Sequence, residues 1–397
     1  MRRAKIADIV LEKITGEWGE EPREVNGVRV LRTTNFTNEG RLNMNSVVER
    51  EIDDRIVEKK KLKYGDTIIE KSGGSPNQPV GRVVFFDIED EQTYLCNNFT
   101  AILRPREDVF PKFFFYSLFY KHLNKATLRY QNKTTGIINL QLERYLQEEI
   151  PLPPLPIQKQ IAVILEKADA AREKRRQANK LTEQFLQSAF LEMFGDPVTN
   201  PKGWDVVELY KCCNKVTDGT HFPPKFRSLG IPFIFVSNVR NGDINLRTDK
   251  YITQKEYEEL NNRCPVEIGD VLYTTVGSYG NAAVVRTTKP FSFQRHIAHL
   301  KPNYSKVLSV YLAMAMESQA TRIQVDQQVR GVAQKTLNLR ELRNVKVCIP
   351  PLSEQNKFVT LVEKVESLRA KQRESEKELE NLFGSLMQRA FRGELVG

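Results

Sequence analysis

Two stretches of the chain carry a long helical period, and the text that opens them is nearly the same. From Ile157 to Met193 there is neither Gly nor Pro. Ile157, Ile161, Ile164, Ala168, Ala171, Ala178, Phe185 and Ala189 recur at steps of three, four and seven, with Arg175 and Thr182 at the two skipped positions. That pattern predicts the seam of a coiled coil. The entry Pro151-Leu152-Pro153-Pro154-Leu155-Pro156 suits a helix start, because Pro is tolerated in the first turn only. The exit Phe194-Gly195-Asp196-Pro197 supplies a Gly stop and a Pro that prevents continuation. About 37 residues at about 1.5 Å each give a rod of roughly 55 Å. Near the C-terminus Ile349-Pro350-Pro351-Leu352-Ser353-Glu354-Gln355 repeats the opening from Leu152 to Gln158. Phe358, Leu361, Val365, Leu368, Ser375, Leu379, Leu382 and Leu386 then follow on the same spacing. Two such seams most simply bury each other, because most helix stability comes from packing an apolar face.

Between the rods the period shortens to that of strands, and the repeat continues. It is a domain duplication of about 200 residues per copy, far longer than a solenoid unit. Ile6-Ala7-Asp8-Ile9 through Gly16 corresponds to Trp204 through Gly219. Val30-Leu31-Arg32-Thr33-Thr34-Asn35 corresponds to Phe233-Ile234-Phe235-Val236-Ser237-Asn238, each with a turn after it. Tyr64-Gly65-Asp66-Thr67-Ile68-Ile69 corresponds to Ile268-Gly269-Asp270-Val271-Leu272-Tyr273, a Gly-Asp turn into a strand. Strands at Gly81–Phe86 and Asn281–Val285, and at Thr100–Pro105 and Ile297–Pro302, follow in the same order. A helix rich in aromatics or Met comes next in each copy, Phe113–Phe119 and Val310–Met316, and then a basic Gly turn.

The predicted fold class is therefore α+β. Two mostly-β globules, 1–151 and 198–349, alternate with helices over 152–197 and 350–397. If the helices pair antiparallel, the globules are related by an approximate two-fold axis. That symmetry matches the backbone of duplex DNA and suits two half-sites. A 55 Å rod spans roughly 16 base pairs. Because the two copies differ in sequence, the half-sites should differ.

Composition narrows the partners. The 397 residues include 60 Lys plus Arg against 50 Asp plus Glu, a net charge of +10, which is compatible with a polyanion. Five Cys at irregular spacing, with no CxxC pair, indicate reduced thiols used as small apolar filler. Lys5, Asp8 and Glu12 interrupt any apolar leader, and no apolar run reaches membrane-spanning length. A cytoplasmic location with no membrane contact is expected.

The order and duplication of these features resemble the specificity subunit of type I restriction–modification systems. The resemblance is carried by the two Pro-Leu-Pro-Pro-Leu…Gln helix entries and by Thr217-Asp218-Gly219-Thr220-His221-Phe222-Pro223-Pro224. The phrase Phe190-Leu191-Glu192-Met193-Phe194-Gly195-Asp196-Pro197 adds to it, and the likeness extends over essentially the whole chain. The first copy departs from it, with Ile14-Thr15-Gly16-Glu17-Trp18 in place of the Thr-Asp-Gly-Thr string. The resemblance implies two target-recognition domains that bind double-stranded DNA at a bipartite asymmetric site. It further implies two methyltransferase subunits held by the helices, with restriction subunits joining through them. S-adenosylmethionine, ATP and Mg²⁺ would then belong to the partner subunits, leaving no cofactor in this one.

No catalytic signature stands out in the residues. Adenine methylation uses an Asn/Asp-Pro-Pro-aromatic clamp. The Pro-Pro pairs here, at 153–154, 223–224 and 350–351, follow Leu, Phe and Ile. There is no Walker A motif. Glu58-Lys59-Lys60 could be half of a nuclease signature, but no Pro-Asp dipeptide accompanies it, and the segment reads as a solvated charged face. His296 and His299 lack a third metal ligand nearby in sequence. Two alternatives remain at this point: a recognition part that retains a nuclease, and a coiled-coil scaffold that binds no DNA.

Base reading needs short side chains with donors and acceptors, whereas phosphate binding needs cations and backbone N–H groups. The polar strand ends suit the first role: Arg32, Thr33, Thr34 and Asn35, then Ser237 and Asn238. The Gly-rich loops suit the second: Lys71-Ser72-Gly73-Gly74-Ser75 and Gly277-Ser278-Tyr279-Gly280. Lys133, Thr134, Thr135, Gln328 and Arg330 are further candidates, as are Thr217, Asp218, Gly219, Thr220 and His221. The candidate metal ligands are none.

Overall fold

The computed structural model describes residues 2–22, 27–75, 78–133, 137–331 and 335–396. Both predicted rods are helices, a central one at Leu155–Phe194 and a terminal one at Leu352–Arg392. The chain divides into two compact units, Met1–Arg176 with Glu374–Gly397, and Gln177–Arg373. Each long helix therefore gives one half to each unit.

In the first unit a four-stranded antiparallel sheet runs in the order Val10–Thr15, Thr100–Pro105, Thr67–Glu70, Val83–Phe85. The Gly-Asp turn sets its register. Gly65 has φ +95°, a conformation that costs Gly nothing. Buried Asp66 accepts from the Lys63 N–H at 2.8 Å and pairs with Arg104 on the neighbouring strand, also at 2.8 Å. A smaller sheet places Val28–Leu31 between Val48–Arg50 and, in parallel, Tyr94–Cys96. The helix Pro111–Leu123 joins sheet to rod. Its Phe113, Phe114, Tyr116 and Leu118 share one core with Ile161, Ala162 and Leu165 of the central helix and Phe383, Met387 and Phe391 of the terminal helix.

The second unit repeats this plan, with the order Cys213–Asp218, Ile297–Pro302, Val271–Thr274, Ala282–Val284. Ile231–Ile234 again lies between an antiparallel strand, Tyr251–Ile252, and a parallel one, Ser292–Phe293. Gly269 has φ +93°, and Asp270 accepts from the Glu267 N–H at 2.8 Å. Lys301 takes the place of Arg104, 3.1 Å from Asp270. His299 also lies 2.6 Å from that carboxylate. Burial alone would raise the pKa of Asp270, but these bonds hold it low. His299 is thereby a core residue. Among the described residues no group of three His, Cys, Asp or Glu is placed to hold a metal ion. No helix among them is long and apolar enough to cross a membrane.

Within each unit the helix halves run antiparallel. In the first, Arg172 donates to Glu380 at 2.6 Å and stacks its guanidinium 4.1 Å over Phe383, while Ile161 shares a core with Phe391. In the second, Phe194 packs on Phe358 with ring centroids 5.4 Å apart, and Gln372 donates to Thr182 at 3.0 Å. The seam itself needs correction. Phe185, Leu368 and Leu382, read above as seam positions, are about half exposed. Ile161, Ala189, Phe358 and Val365 of that seam are buried, and the buried stripe continues through Leu165, Arg172, Leu186, Phe190 and Phe194 of the central helix and Val362, Gln372, Phe383 and Met387 of the terminal one. A straight α-helix drifts about 20° per heptad from a strict seven-residue repeat, so a long seam changes its positions along the rod. The change falls where the stripe is polar, at Arg172, which is buried where the spacing predicts Arg175, whereas Thr182 keeps its predicted place and accepts from Gln372.

Candidate nucleic-acid interface

One end of the large sheet in each unit gathers most of the candidate loops. In the first unit that end is defined by the pairs Thr15 with Ala101, Glu70 with Thr100 and Ile69 with Val83. Gly16 leaves it next to the Asn97 carbonyl. A Cβ there would stand 2.1 Å from that oxygen, so no other residue fits without moving the backbone. The Lys71 and Ser72 N–H groups donate to the Phe99 carbonyl at 2.8 and 3.1 Å. Ser72–Gly74 then pairs with Ile138–Leu140, which pairs with Gln131–Lys133. The Lys71–Ser75 loop and the Lys133 strand, far apart in sequence, thus belong to one small sheet. Thr134, Thr135 and the side chain of Lys133 lie outside the described residues. Burial holds the Lys71 ammonium below its usual pKa, and Lys60 adds to that.

Arg32 to Asn35 form the turn beside this end. Asn35 is fully buried. Its amide oxygen accepts from the Arg32 N–H at 2.8 Å, and its nitrogen donates to the Asn43 carbonyl at 2.9 Å. Arg32 donates to the Ser46 carbonyl. The Thr33 carbonyl accepts from buried Arg82, whose guanidinium is also bidentate to Glu70 at 2.8 and 2.9 Å. Of the four, only Thr34 is exposed. Asn238 repeats the Asn35 turn, accepting from the Phe235 N–H at 3.0 Å and donating to the Asn245 carbonyl at 2.8 Å, with Ser237 exposed at the tip. The two asparagines therefore shape the loops, and Thr34 and Ser237 are what the loops offer.

The second unit builds the same end from other side chains. A Cβ on Gly219 would stand 2.2 Å from the Phe293 carbonyl. The Thr220 N–H donates to that carbonyl at 3.1 Å, and the Thr220 carbonyl accepts from the Arg295 N–H at 3.0 Å. The N–H and hydroxyl of Thr275 both donate to the His296 carbonyl, at 2.9 and 3.0 Å. The Gly277 N–H donates to the Lys335 carbonyl at 3.0 Å, and Arg330 pairs with Thr336. Hence the Thr217–His221, Gly277–Gly280 and Arg330 loops meet, with exposed Gln328 ending the helix Gln319–Gln328 nearby. Gly277 and Ser278 are exposed. Tyr279 is buried: its hydroxyl donates to Asp326 at 2.7 Å, and Arg322 lies 4.3 Å over its ring. Thr217 is buried too, its hydroxyl accepting from Arg263 at 3.2 Å. Asp218 lies 2.8 Å from His221 and 3.3 Å from Arg263.

Sequence reasoning missed Asn98 and Phe99 in the first unit and Arg295, His296 and Lys335 in the second. All five stand at the same sheet end, and Asn98, Phe99, Arg295 and Lys335 are exposed there. Burial and the neighbouring Arg295 hold the His296 pKa below its usual value. A signal existed. The strands Thr100–Pro105 and Ile297–Pro302 align residue by residue, yet the two residues before each, Asn-Phe and Arg-His, share nothing.

Comparison with known proteins gives the family and the fold. The family model for the type I restriction modification DNA specificity domain matches the chain twice, over residues 6–183 and 201–381. The chain therefore belongs to that family and is a specificity subunit with two such domains. The type I restriction enzyme EcoBI specificity subunit of Escherichia coli is 26% identical over 333 residues, 76% of this chain and 69% of that protein. The EcoKI specificity subunit of Escherichia coli strain K12 is 24% identical over 371 residues, 86% and 77% of the two chains. Among solved structures, the fold is shared with a chain from work on complex assembly and conformational transition of the type I R-M system. That likeness has a TM-score of 0.57 at 19% identity and covers 99% of this chain and 98% of that one. The S subunit of a type I restriction-modification system from M. genitalium gives 0.53 at 15% identity, over 98% and 96%.

Proposed function

We propose that each unit binds one half-site of a bipartite, asymmetric DNA target through the loop cluster at its sheet end. The observation that carries this reading is the duplication itself. The same backbone scaffold, fixed by Gly16 and Gly219 and by Asn35 and Asn238, presents different side chains at corresponding places. Backbone N–H groups, hydroxyls and cations at these tips suit phosphates and base edges. The four segments 1–151, 152–197, 198–349 and 350–397 act as recognition domain, helix, recognition domain and helix.

The subunit itself catalyses nothing in this reading. Exposed faces of the two long helices hold two methyltransferase subunits, which bring restriction subunits with them. S-adenosylmethionine, ATP and Mg²⁺ bind those partners, and the complex works in the cytoplasm. The test is to add the chain to its methyltransferase subunits and map methylated positions on genomic DNA. The expected result is methylation at one split motif with two unlike halves, and none without the chain. Methylation with a single unbroken motif, or Mg²⁺-dependent cleavage by the chain alone, contradicts the reading.

A further inference from the structure

One place in the scaffold holds a different pair of side chains in each unit, and each pair fastens a different loop. The place is the last residue of the strands Thr67–Glu70 and Val271–Thr274 together with the residue before the next strand of the sheet, Arg82 or Asn281. Hydrogen bonding makes the two places equivalent. The Glu70 N–H donates to the Arg82 carbonyl and the Thr274 N–H to the Asn281 carbonyl, both at 2.9 Å. In the first unit Glu70 and Arg82 are both buried. Beyond their bidentate ion pair, the guanidinium reaches the turn that carries Thr34, donating to the Phe36 carbonyl at 2.9 Å and to the Thr33 carbonyl at 3.0 Å. In the second unit both side chains bind the Gly-rich loop instead. The Thr274 hydroxyl donates to the Ser278 carbonyl at 2.9 Å, and the Asn281 amide donates to the same carbonyl at 2.8 Å. The Asn281 N–H donates back to the Thr274 hydroxyl oxygen at 2.9 Å.

We propose that this pair decides which loop of each unit discriminates between bases: the turn through Thr34 in the first unit, and the Gly-rich loop through Ser278 in the second. The inference deepens the reading that each unit binds a half-site, and it rests on that reading. A loop rejects a wrong base only if it cannot shift to accommodate it, and a loop locked from beneath by buried bonds meets that condition. Buried donors hold the Thr33 and Phe36 carbonyls on either side of Thr34, and the carbonyl of Ser278 itself. Thr34 and Ser278 are exposed, and each carries a hydroxyl that donates or accepts at a base edge. Burying two charges is costly unless further hydrogen bonds satisfy them, and the carbonyls of the turn are those further partners for Arg82. Glu70, Arg82, Thr274 and Asn281 are positioning residues that act through Thr34 and Ser278.

The experiment uses the assembled complex and its mapped methylation site. Duplexes that carry each single base-pair substitution in either half-site compete for binding against the intact site. With the parent chain a substitution should weaken binding about tenfold or more. Glu70→Thr together with Arg82→Asn gives the first unit the pair of the second and leaves no lone buried charge. It should erase most of that penalty at a base pair of the first half-site and leave the second half-site as selective as before. Thr34→Ala should relax the same base pair. Asn281→Ala and Ser278→Ala should both relax one base pair of the second half-site only. A pair that merely stabilised the fold would weaken binding to every duplex by the same factor, and that result overturns the proposal. Relaxation in the wrong half-site, or at different base pairs for the pair variant and Thr34→Ala, overturns it too. If the double variant does not assemble, Thr34→Ala and Ser278→Ala decide, and unchanged ratios in both overturn the proposal. Failure of the intact site to bind at all contradicts the DNA-binding reading instead.

Discussion

Gln158 and Gln355 make the same three hydrogen bonds at the starts of their two helices. Each is buried. Its amide oxygen accepts from the backbone N–H that opens the aromatic-rich helix, of Phe110 or Leu308, at 2.8 Å. Its nitrogen donates to the carbonyl of Pro153 or Pro350, at 2.9 and 2.8 Å, and to that of Asp108 or Lys306, at 3.2 and 3.0 Å. The Pro-Pro-Leu…Gln text is thus a clamp that fixes the direction in which each rod leaves its globule. Gln158→Ala and Gln355→Ala each strand a buried N–H and two carbonyls, at a cost of about 1–3 kcal/mol. Urea unfolding should show that loss in each variant, and two variants as stable as the parent would refute the clamp.

His122 predicts a pH dependence in the first unit. Burial, with the nearby Arg82 charge, lowers its pKa to about 4 from the usual 6.5. The unfolded chain therefore takes up a proton between those values that the folded chain refuses. The associated stability is complete above pH 6.5 and declines as pH falls toward 4, by on the order of 1–2 kcal/mol at pH 5. His122→Phe should flatten that part of the unfolding profile, measured between pH 7 and 5. An unchanged slope would show that other groups set it.

The corrected seam separates two neighbouring aromatics. Phe190 packs on Tyr311 and Phe358, with centroids 5.6 and 5.5 Å away, whereas Phe185 is half exposed. Phe190→Ala should cost about 3–5 kcal/mol, the usual range for a buried Phe, and Phe185→Ala less than about 1 kcal/mol. Denaturant midpoints of the two variants decide it. Similar losses at both would restore the seam expected from spacing alone.

Much of this architecture was legible. The duplication, the α+β class, the two rods with their Gly stop at Gly195, and the Gly-Asp turns all follow from local text whose physics is local. The full register of the rods was not, because buried Arg172 faces the seam through polar contacts with Asp169 and Glu380 that hydrophobic spacing does not mark. Asn35 and Tyr279 illustrate the same limit at the candidate interface. Their residue types suit base contact, yet one folds its own turn and the other is fastened to Asp326 and Arg322. Whether a polar side chain is spent inside the protein depends on partners far along the chain, such as Asn43 or Asp326.

Cations at the sheet ends should act additively and without sequence preference. Lys71→Ala, Arg295→Ala and Lys335→Ala should each weaken binding of the assembled complex to cognate and unrelated duplexes alike. Removing a cation from one phosphate should lower the slope of log affinity against log salt by about 1. Titrations at several salt concentrations measure it. A variant that changes affinity for the cognate duplex alone would place that side chain on a base edge instead.

The central claim is that each unit reads its own half of a split target. The direct measurement replaces residues 198–349 with the corresponding segment of another specificity subunit, adds the methyltransferase subunits, and maps methylated sites across a genome. One half of the motif should change to that of the donor while the other half stays as it was. A motif altered in both halves, or in neither, would contradict the account.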